Sequence, residues 1–288
     1  SLTETMIKNS TALSSGHFNV AGWLKAKAND AMPVINNVSK LKEIAQKETP
    51  EVDYVIDRVR GWGKIVSDKS SMQVGISGID FTEEKNLMKI VQLAKENEYK
   101  LDGKDEVIGN FENLKKSGYA LCFATQAKQL EIKVGDPLTV TVEAEGGKVN
   151  ATEVIVGAIA KDMGFSSNWS FFIDKKTLFE LYNLKEDASG AVQVYLKDIN
   201  KASFAMDSLK KTLLAKGYEI IDYDPQPFWM KFESVMGEDW IGEKLDLTLW
   251  EDEISFLKWI VIAFKAISFF LILILTGIIC VGIMNTMW

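Results

Sequence analysis

The residue types that most often carry out chemistry are sparse in this chain. His17 is the only histidine, and the two cysteines, Cys122 and Cys280, lie far apart, the second inside an apolar terminal run. A zinc site or a Ser-His-Asp triad built on His17 would need partners that the sequence does not place beside it. We therefore predict a structural His17 at the edge of a strand, no disulfide, no metal site and no catalytic residue.

A second candidate for chemistry is the glycine-rich stretch RGWGKIV, which contains Gly61, Gly63 and Lys64. A phosphate-binding loop has the spacing G-x-x-x-x-G-K-[ST], whereas this chain has Arg58 where the first glycine would stand and Ile65 after the lysine. The sequence therefore predicts no nucleotide site, no cofactor and no ATP hydrolysis by this chain.

Paired carboxylates are the remaining candidates for acid-base chemistry. Glu83 with Glu84, and Glu251 with Glu253, lie in polar segments of helical character. Solvated helix faces and favourable charges at helix amino termini explain such pairs without catalysis. Nothing in the sequence distinguishes one pair as a glycosidase-like site. We therefore expect a protein that is not an enzyme.

The overall charge excludes one further class of partner. The formal net charge is −7, and no cluster of lysine and arginine is interleaved with aromatic residues. Nucleic acid is therefore not expected to bind.

The carboxyl-terminal run is strongly apolar. From Ile267 to Met284 there are 18 residues without a charge, and at about 1.5 Å per residue a helix of this length covers the roughly 30 Å hydrocarbon core of a bilayer. A buried core helix is the alternative. Such a helix usually has a polar face, whereas the polar residues Ser268 and Thr276 do not form a polar face here. We predict a membrane-spanning helix over 259–288, and a chain that is a fragment ending as this helix crosses the membrane.

Two strand-helix-strand patterns precede the terminal run. The first joins HFNVAGW, an apolar helical stripe of Val38, Leu41, Ile44 and Ala45, and VDYVIDRV. The second joins GAVQVYLKD, the stripe Ala202, Met206, Leu209 and Leu213, and YEIIDYD. Such units predict two halves of one α+β layer.

The segment between the two units is predicted to be a β-rich insert, with a hairpin that turns at Gly146-Gly147. The expected organisation is a first half-layer over 1–70, the insert over 71–185, a second half-layer over 186–227, a tryptophan-rich connector and stalk over 228–258, and the membrane helix. In the connector, Phe228, Trp229 and Trp240 are either core residues of a small helical cap or a surface that contacts a partner or substrate. Because the sequence lacks proline from Leu249 to Met287, we expect one unbroken helix there.

Several short motifs occur in an order that resembles a known family. The segments are SGHFNVAGW, VGISGIDFTEEKNL, ATQAKQLEIKVGDPLTVTV, VIVGAIA and CVGIMNTMW. In this order they resemble the extracytoplasmic domain and second transmembrane helix of FtsX-like, MacB-type ABC transporter permeases, particularly the lipoprotein-releasing branch. The positions that match the family motifs are Gly16, His17, Gly135, Asp136, Asn285, Thr286 and Met287.

The resemblance implies a fold and a set of partners. It implies an α+β periplasmic domain in which a Porter subdomain of two strand-helix-strand units is interrupted by a β-rich Sabre subdomain. It also implies a bacterial inner-membrane location with residues 1 to about 255 outside the cytoplasm. The implied partners are a cytoplasmic ATP-binding subunit, a second permease subunit and a lipoprotein or other amphiphile as substrate.

Two other functions stay open. One branch of the resembling family consists of regulators that do not transport and that activate a cell-wall hydrolase. A membrane-anchored enzyme or interaction domain is the third possibility. The hairpin EAEGGKVNA is also a plain tight turn, whereas one lipoprotein-releasing subunit has an extended hook there, so contact with a soluble lipoprotein carrier is not implied.

Overall fold

The computed structural model describes residues 2–28, 30–255 and 266–279. Within these residues the strands are β1 Phe18–Lys27, β2 Asp30–Met32, β3 Val52–Val66, β4 Ser71–Ile79, β5 Tyr119–Phe123, β6 Pro137–Ala144, β7 Lys148–Ala160, β8 Ser170–Asp174, β9 Ala191–Leu196 and β10 Gly242–Leu249. The α-helices are α1 Leu2–Ser10, α2 Val38–Glu48, α3 Lys85–Ile90, α4 Glu96–Tyr99, α5 Ala124–Leu130, α6 Lys175–Leu181, α7 Ala202–Ala215, α8 Phe232–Gly237 and α9 Trp250–Glu253.

Four strands form a sheet in the order β10-β1-β9-β3, and each neighbouring pair is antiparallel. The units β1-α2-β3 and β9-α7-β10 interleave in this sheet, so the two predicted half-layers share one layer. Both helices pack on the same face of the sheet. The predicted stripes Val38, Leu41, Ile44, Ala45 and Ala202, Met206, Leu209, Leu213 are all buried in that core, which confirms them.

The fourth strand of this sheet differs from the prediction. The segment YEIIDYD forms a single parallel bridge, Ile220 to Leu245, and is otherwise irregular. The strand is instead β10, inside the segment predicted as connector. Leu245, Leu247 and Leu249 alternate with polar residues, as expected of a strand with one buried face, whereas the apolar residues Ile220 and Ile221 are adjacent and do not alternate.

The insert forms a closed ring of strands. The pairings run β3-β4-β8-β5-β7-β6 and return from β6 to β3, and the enclosed core includes Ile65, Val140 and Phe171. The predicted hairpin is confirmed: β6 and β7 are joined at Gly146 and Gly147, which have φ values of 73° and 76°. These left-handed conformations favour glycine.

Strand β3 belongs to both units and therefore connects them. Its first part, from Val52 to Arg58, pairs with β9 of the sheet. Its second part, from Val59 to Val66, pairs with β4 of the ring. The α+β class predicted from the sequence is confirmed.

The membrane helix predicted over 259–288 lies partly outside the described residues. Residues 266–279 are helical, with exposed apolar side chains such as Phe269 and Leu273. Among the described residues, no helix is both long enough and apolar enough to cross a membrane.

The unbroken helix expected from Leu249 is wrong at its start. Helix α9 ends at Glu253, because Ile254 has φ −107° and ψ 10°. Residues 256–265, further along the expected helix, lie outside the described part of the chain.

Candidate functional site

The second face of the four-stranded sheet is polar and yet buried. Side chains alternate along each strand, so this face carries the residues between those of the apolar core. We call it the polar face, and it consists of Asn19, Trp23, Lys25, Arg58, Arg60, Gln193, Tyr195, Asp246 and Thr248. Three segments cover it: the π-helical turn Thr11–Ser15 after α1, the cap Phe228–Ile241, and α9.

Arg58 fixes the end of the amino-terminal helix. Its Nε and Nη2 donate to the two carboxylate oxygens of Glu84, both at 2.7 Å, and its Nη1 and Nη2 donate to the carbonyl oxygens of Leu13 and Ala12 at 2.8 and 2.7 Å. Arg58 and Glu84 are 1% and 2% exposed. A planar guanidinium suits this arrangement, since it offers five donors in a fixed geometry.

Strand β9 adds two further contacts to the same turn. The amide of Gln193 donates to the carbonyl oxygen of Ser14 at 2.7 Å, and the hydroxyl of Tyr195 donates to that of Thr11 at 3.3 Å. Three side chains from two strands therefore hold the carbonyl groups at the end of the amino-terminal helix.

Arg60 lies two residues after Arg58 on the same face of β3 and contacts the other end of the domain. Its guanidinium lies 3.9 Å from a carboxylate oxygen of Glu253 in α9, and 4.0 Å from the centre of the Phe228 ring. Glu253 also accepts a hydrogen bond from Thr248 at 3.2 Å. Burial raises the pKa of Glu253, and the charge of Arg60 opposes this rise only in part.

A third buried ion pair fastens the cap. Lys231 Nζ donates to both carboxylate oxygens of Asp246 at 2.9 and 3.0 Å. Beside it, Lys25 Nζ donates to the carbonyl oxygens of Val235 and Glu238 at 2.9 and 2.6 Å, at the end of α8. A cation at a helix carboxyl terminus is favourable because the carbonyl groups there have no partner within the helix.

These contacts correct the prediction for the paired carboxylates. Glu83 is half exposed, as expected of a solvated residue, but Glu84 is buried against Arg58. Likewise Glu251 is exposed and Glu253 is buried against Arg60. A charge inside an otherwise helical pattern does not reveal whether an arginine on a distant strand will pair with it.

His17 has a structural environment. Its Nδ1 accepts a hydrogen bond from the backbone amide of Leu196 at 2.9 Å, and its ring packs edge-on against Tyr195. Burial lowers the pKa of His17 to about 4, and the charges of Asp53 and Asp198 offset this only in part. Among the described residues there is no cluster of histidine, cysteine and acidic side chains that could hold a metal.

The glycine-rich stretch lies in the middle of β3. Tyr182 places its hydroxyl against the backbone of Trp62, accepting from the amide and donating to the carbonyl oxygen, both at 3.2 Å. A Cβ atom on Gly61 would overlap this hydroxyl. Gly61 is thus required for close packing in the strand.

The aromatic residues of the connector divide between the two alternatives. Trp240 packs with Trp23 and Val235 in the core of the cap, and its indole donates to Glu238 at 2.6 Å. Phe228 lies under Arg60, whereas Trp229 is 52% exposed. A contact of these residues with a partner or substrate stays a prediction.

The remaining motif positions are dispersed. Gly16, with φ 63°, follows the turn held by Arg58. Gly135 and Asp136 form the turn before β6, where the Asp136 carboxylate accepts from the Lys133 amide at 3.0 Å. Asn285, Thr286 and Met287 lie outside the described residues.

The residues that organise the polar face were absent from the predicted site. One signal was available, since VIDRVRGW has arginines at alternate positions, Arg58 inside the predicted strand VDYVIDRV and Arg60 just after it. Alternation predicts that Arg58 and Arg60 share a face. It does not show that this face is buried.

Comparison with known proteins gives structural similarity without sequence similarity. No protein-family model matches the chain, and no curated protein matches it. The extracellular domain of the ABC-type transporter YknZ from Gram-positive bacteria is similar over 69% of this chain and 94% of that one, with 9% identity and a TM-score of 0.42.

Two further solved structures are similar at the same level. The periplasmic region of MacB from Actinobacillus actinomycetemcomitans is similar over 88% of this chain and 97% of that one, with 10% identity and a TM-score of 0.44. A domain assigned to a permease protein from Porphyromonas gingivalis is similar over 69% of this chain and 82% of that one, with 13% identity and a TM-score of 0.41.

Proposed function

We propose that this chain is the extracytoplasmic domain of a bacterial ABC transporter permease of the MacB-like type, with a membrane helix at its carboxyl-terminal end. In this proposal the domain transmits motion driven by ATP hydrolysis on a separate cytoplasmic subunit. It works beside a second permease subunit, has no catalytic activity of its own, and acts on a lipoprotein or another amphiphile. The motif order and the uncharged run from Ile267 to Met284 support it.

The observation that carries the proposal is the position of Arg58 and Arg60. One holds the end of the amino-terminal helix and the other contacts α9, which precedes the apolar run. Both belong to β3, which continues from the sheet into the ring. A displacement of either helical segment would therefore act on the same strand.

This route replaces an unbroken helical rod with side-chain contacts. Because the helix ends at Glu253, motion of the terminal segment would reach the sheet through Glu253, Arg60 and Thr248. A buried charge pair such as Arg60 with Glu253 is suited to this role, since separating the two charges leaves an uncompensated charge in a medium of low dielectric constant.

Purification of the full-length protein from its native membranes tests the proposal. We expect a P-loop ATPase to co-purify, and ATP hydrolysis in the complex to be lost when the lysine of that subunit's P-loop is replaced. Recovery of the chain from the soluble fraction, or from membranes without any ATPase, would contradict the proposal. Accumulation of unreleased lipoprotein after depletion would support transport, and a defect confined to cell-wall hydrolysis would support the regulatory alternative.

A further inference from the structure

Two apolar side chains at the start of the cap are exposed. Trp229 is 52% exposed and Met230 is 45% exposed, and both belong to the short helical turn Phe228–Met230. We call residues 223–230 the entry loop, because they lead into the cap. Single exposed apolar residues are common on protein surfaces, so the meaning of these two depends on where the fold places them.

The entry loop is held against α9 at both of its ends. At one end, the hydroxyl of Tyr223 donates to the carboxylate of Asp252, whose two oxygens lie 2.9 and 2.8 Å away. At the other end, the guanidinium of Arg60 lies 4.0 Å from the centre of the Phe228 ring and 3.9 Å from a carboxylate oxygen of Glu253. Two consecutive residues of α9 therefore connect to the loop, which must lie beside this helix.

The chain that follows α9 limits the distance between this helix and the membrane. The described part of the segment ends at Ser255, and the predicted membrane helix begins at Trp259. Even in a fully extended chain, these two residues are at most about 14 Å apart. Residues 256–264 contain Lys258 as their only charge. The fold therefore brings the entry loop close to the bilayer surface, although the loop lies far upstream in the sequence.

We propose that Trp229 and Met230 insert into the headgroup region of the bilayer and anchor the entry loop there. This inference rests on the membrane helix of the proposed function. Tryptophan suits the position, because its ring is largely apolar while its N–H can be hydrogen-bonded, and it is enriched where proteins meet the bilayer surface. Pro225 and Pro227 restrict the backbone of the loop, so little conformational freedom is lost on insertion.

The charges around the entry loop indicate which lipids it would contact. Asp222 precedes the loop and Glu251 lies in α9, and both side chains are exposed. Negative charges at this surface gain nothing from anionic headgroups. We therefore expect burial of apolar surface to drive the contact, so that a zwitterionic bilayer of phosphatidylcholine suffices.

An anchored entry loop would have a mechanical consequence. It would hold Tyr223 and Phe228 at a fixed height above the bilayer, and with them the contacts to Asp252 and Arg60. Motion of the terminal segment would then displace α9 against a fixed point, instead of tilting the whole domain.

Photo-crosslinking of the full-length protein in nanodiscs of phosphatidylcholine tests the proposal. The photoreactive residue benzoylphenylalanine replaces Trp229 in one variant and Met230 in a second, so that a folding defect in one does not decide the result. After illumination and digestion with trypsin, we expect the peptide 217–231 of both variants to gain the mass of one phospholipid.

Benzoylphenylalanine in place of Ile241 provides the matched control. Ile241 is an apolar residue of the same cap and is 71% exposed. It precedes Gly242, the end of β10 that lies furthest from α9, and the strand from Gly242 to Leu249 is about 23 Å long. We expect no lipid adduct at position 241.

Benzoylphenylalanine in place of Leu273 tests the membrane helix separately. Lipid adducts at 273 without any at 229 and 230, or equal yields at 229 and 241, would overturn the inference and leave the proposed function standing. Absence of lipid adducts at all positions would contradict the inference and the membrane helix together. In native membranes, crosslinks from 229 to a protein subunit in place of lipid would assign this residue to a protein contact and also overturn the inference.

Discussion

At the scale of single residues, neighbours in the sequence have opposite environments. Glu83 is exposed and its partner Lys42 is partly exposed, whereas Glu84 is buried with Arg58. Removing one partner of a buried pair leaves an unpaired charge. We therefore expect Glu84→Gln to lower the free energy of unfolding by about 3–5 kcal/mol, measured by urea denaturation of the full-length protein in detergent.

Glu83→Gln is the matched control, since it makes the same chemical change one residue away. At an exposed site the effect should stay within about 0.5 kcal/mol. Equal losses of stability in the two variants would show that the bidentate contact with Arg58 is not the source of the effect.

His17 gives a prediction for pH dependence. Its pKa is lowered to about 4 because it is buried, and its Nδ1 accepts a hydrogen bond from Leu196 that requires the neutral ring. For a base with a lowered pKa, the contribution to stability is complete above the unfolded value of 6.5 and is lost as pH falls from 6.5 through 4.

The imidazole signal of His17 is identified in an NMR spectrum by its loss in His17→Gln. In a titration of the native protein this signal should move with a midpoint near pH 4, and in urea the midpoint should return towards 6.5. A native midpoint at 6.5 would mean that the ring is solvated and that the contact with Leu196 is absent.

The sequence was informative about these residues only in part. It predicted a structural role for His17, whose ring accepts a hydrogen bond from the Leu196 amide, and it predicted the strand that carries Arg58. It could not show that the polar face of this strand is covered, because the covering segments come from Thr11–Ser15, the cap and α9, which are distant in the chain. The burial of Glu84 and Glu253 follows from that covering.

At the scale of elements, the change of partner along β3 depends on close packing. Along β3, Arg58 is the last residue that pairs with β9, and Gly63 is the first that pairs with β6. Between them, the hydroxyl of Tyr182 is hydrogen-bonded to the backbone of Trp62. Because a Cβ on Gly61 would overlap this hydroxyl, we expect Gly61→Ala to lower stability by about 1–3 kcal/mol. Thermal unfolding followed by circular dichroism measures this change.

The double variant Gly61→Ala with Tyr182→Ala provides the test of cause. It should cost less than the sum of the two single changes, because the overlap is removed. Gly237→Ala is the control, since no atom lies within 4 Å of the added carbon. If the stability lost in the double variant equals the sum of the losses in Gly61→Ala and Tyr182→Ala, the proposed overlap is excluded.

Elements with a regular pattern were predictable, and those determined by tertiary contacts were not. The stripes on α2 and α7 and the Gly146-Gly147 hairpin follow from local periodicity and turn chemistry. Strand β10 was missed because the whole of 228–258 was assigned to the connector and stalk. The end of α9 was missed because no proline or glycine marks it; there Asp252 bonds to the Leu249 amide and Tyr223, and Glu253 bonds to Thr248.

At the scale of the whole molecule, one strand joins the two units. The sheet and the ring share β3, and the contacts of Arg58 and Arg60 bring the two helical ends to that same strand. The sequence predicted two half-layers and an insert from repeated patterns. It could not predict a shared strand, because strand order depends on pairings between residues far apart in the chain.

The central claim is that nucleotide turnover moves the ring through β3. Energy transfer from a fluorophore in place of Lys148, directly after the Gly146-Gly147 turn of the hairpin, to acceptor-labelled lipid headgroups reports the height of the ring above the bilayer. In the full-length protein with its ATPase, we predict a height change on adding ATP, and its reduction in Glu84→Gln while ATP hydrolysis continues. An unchanged height in the unaltered complex during ATP hydrolysis would contradict the account.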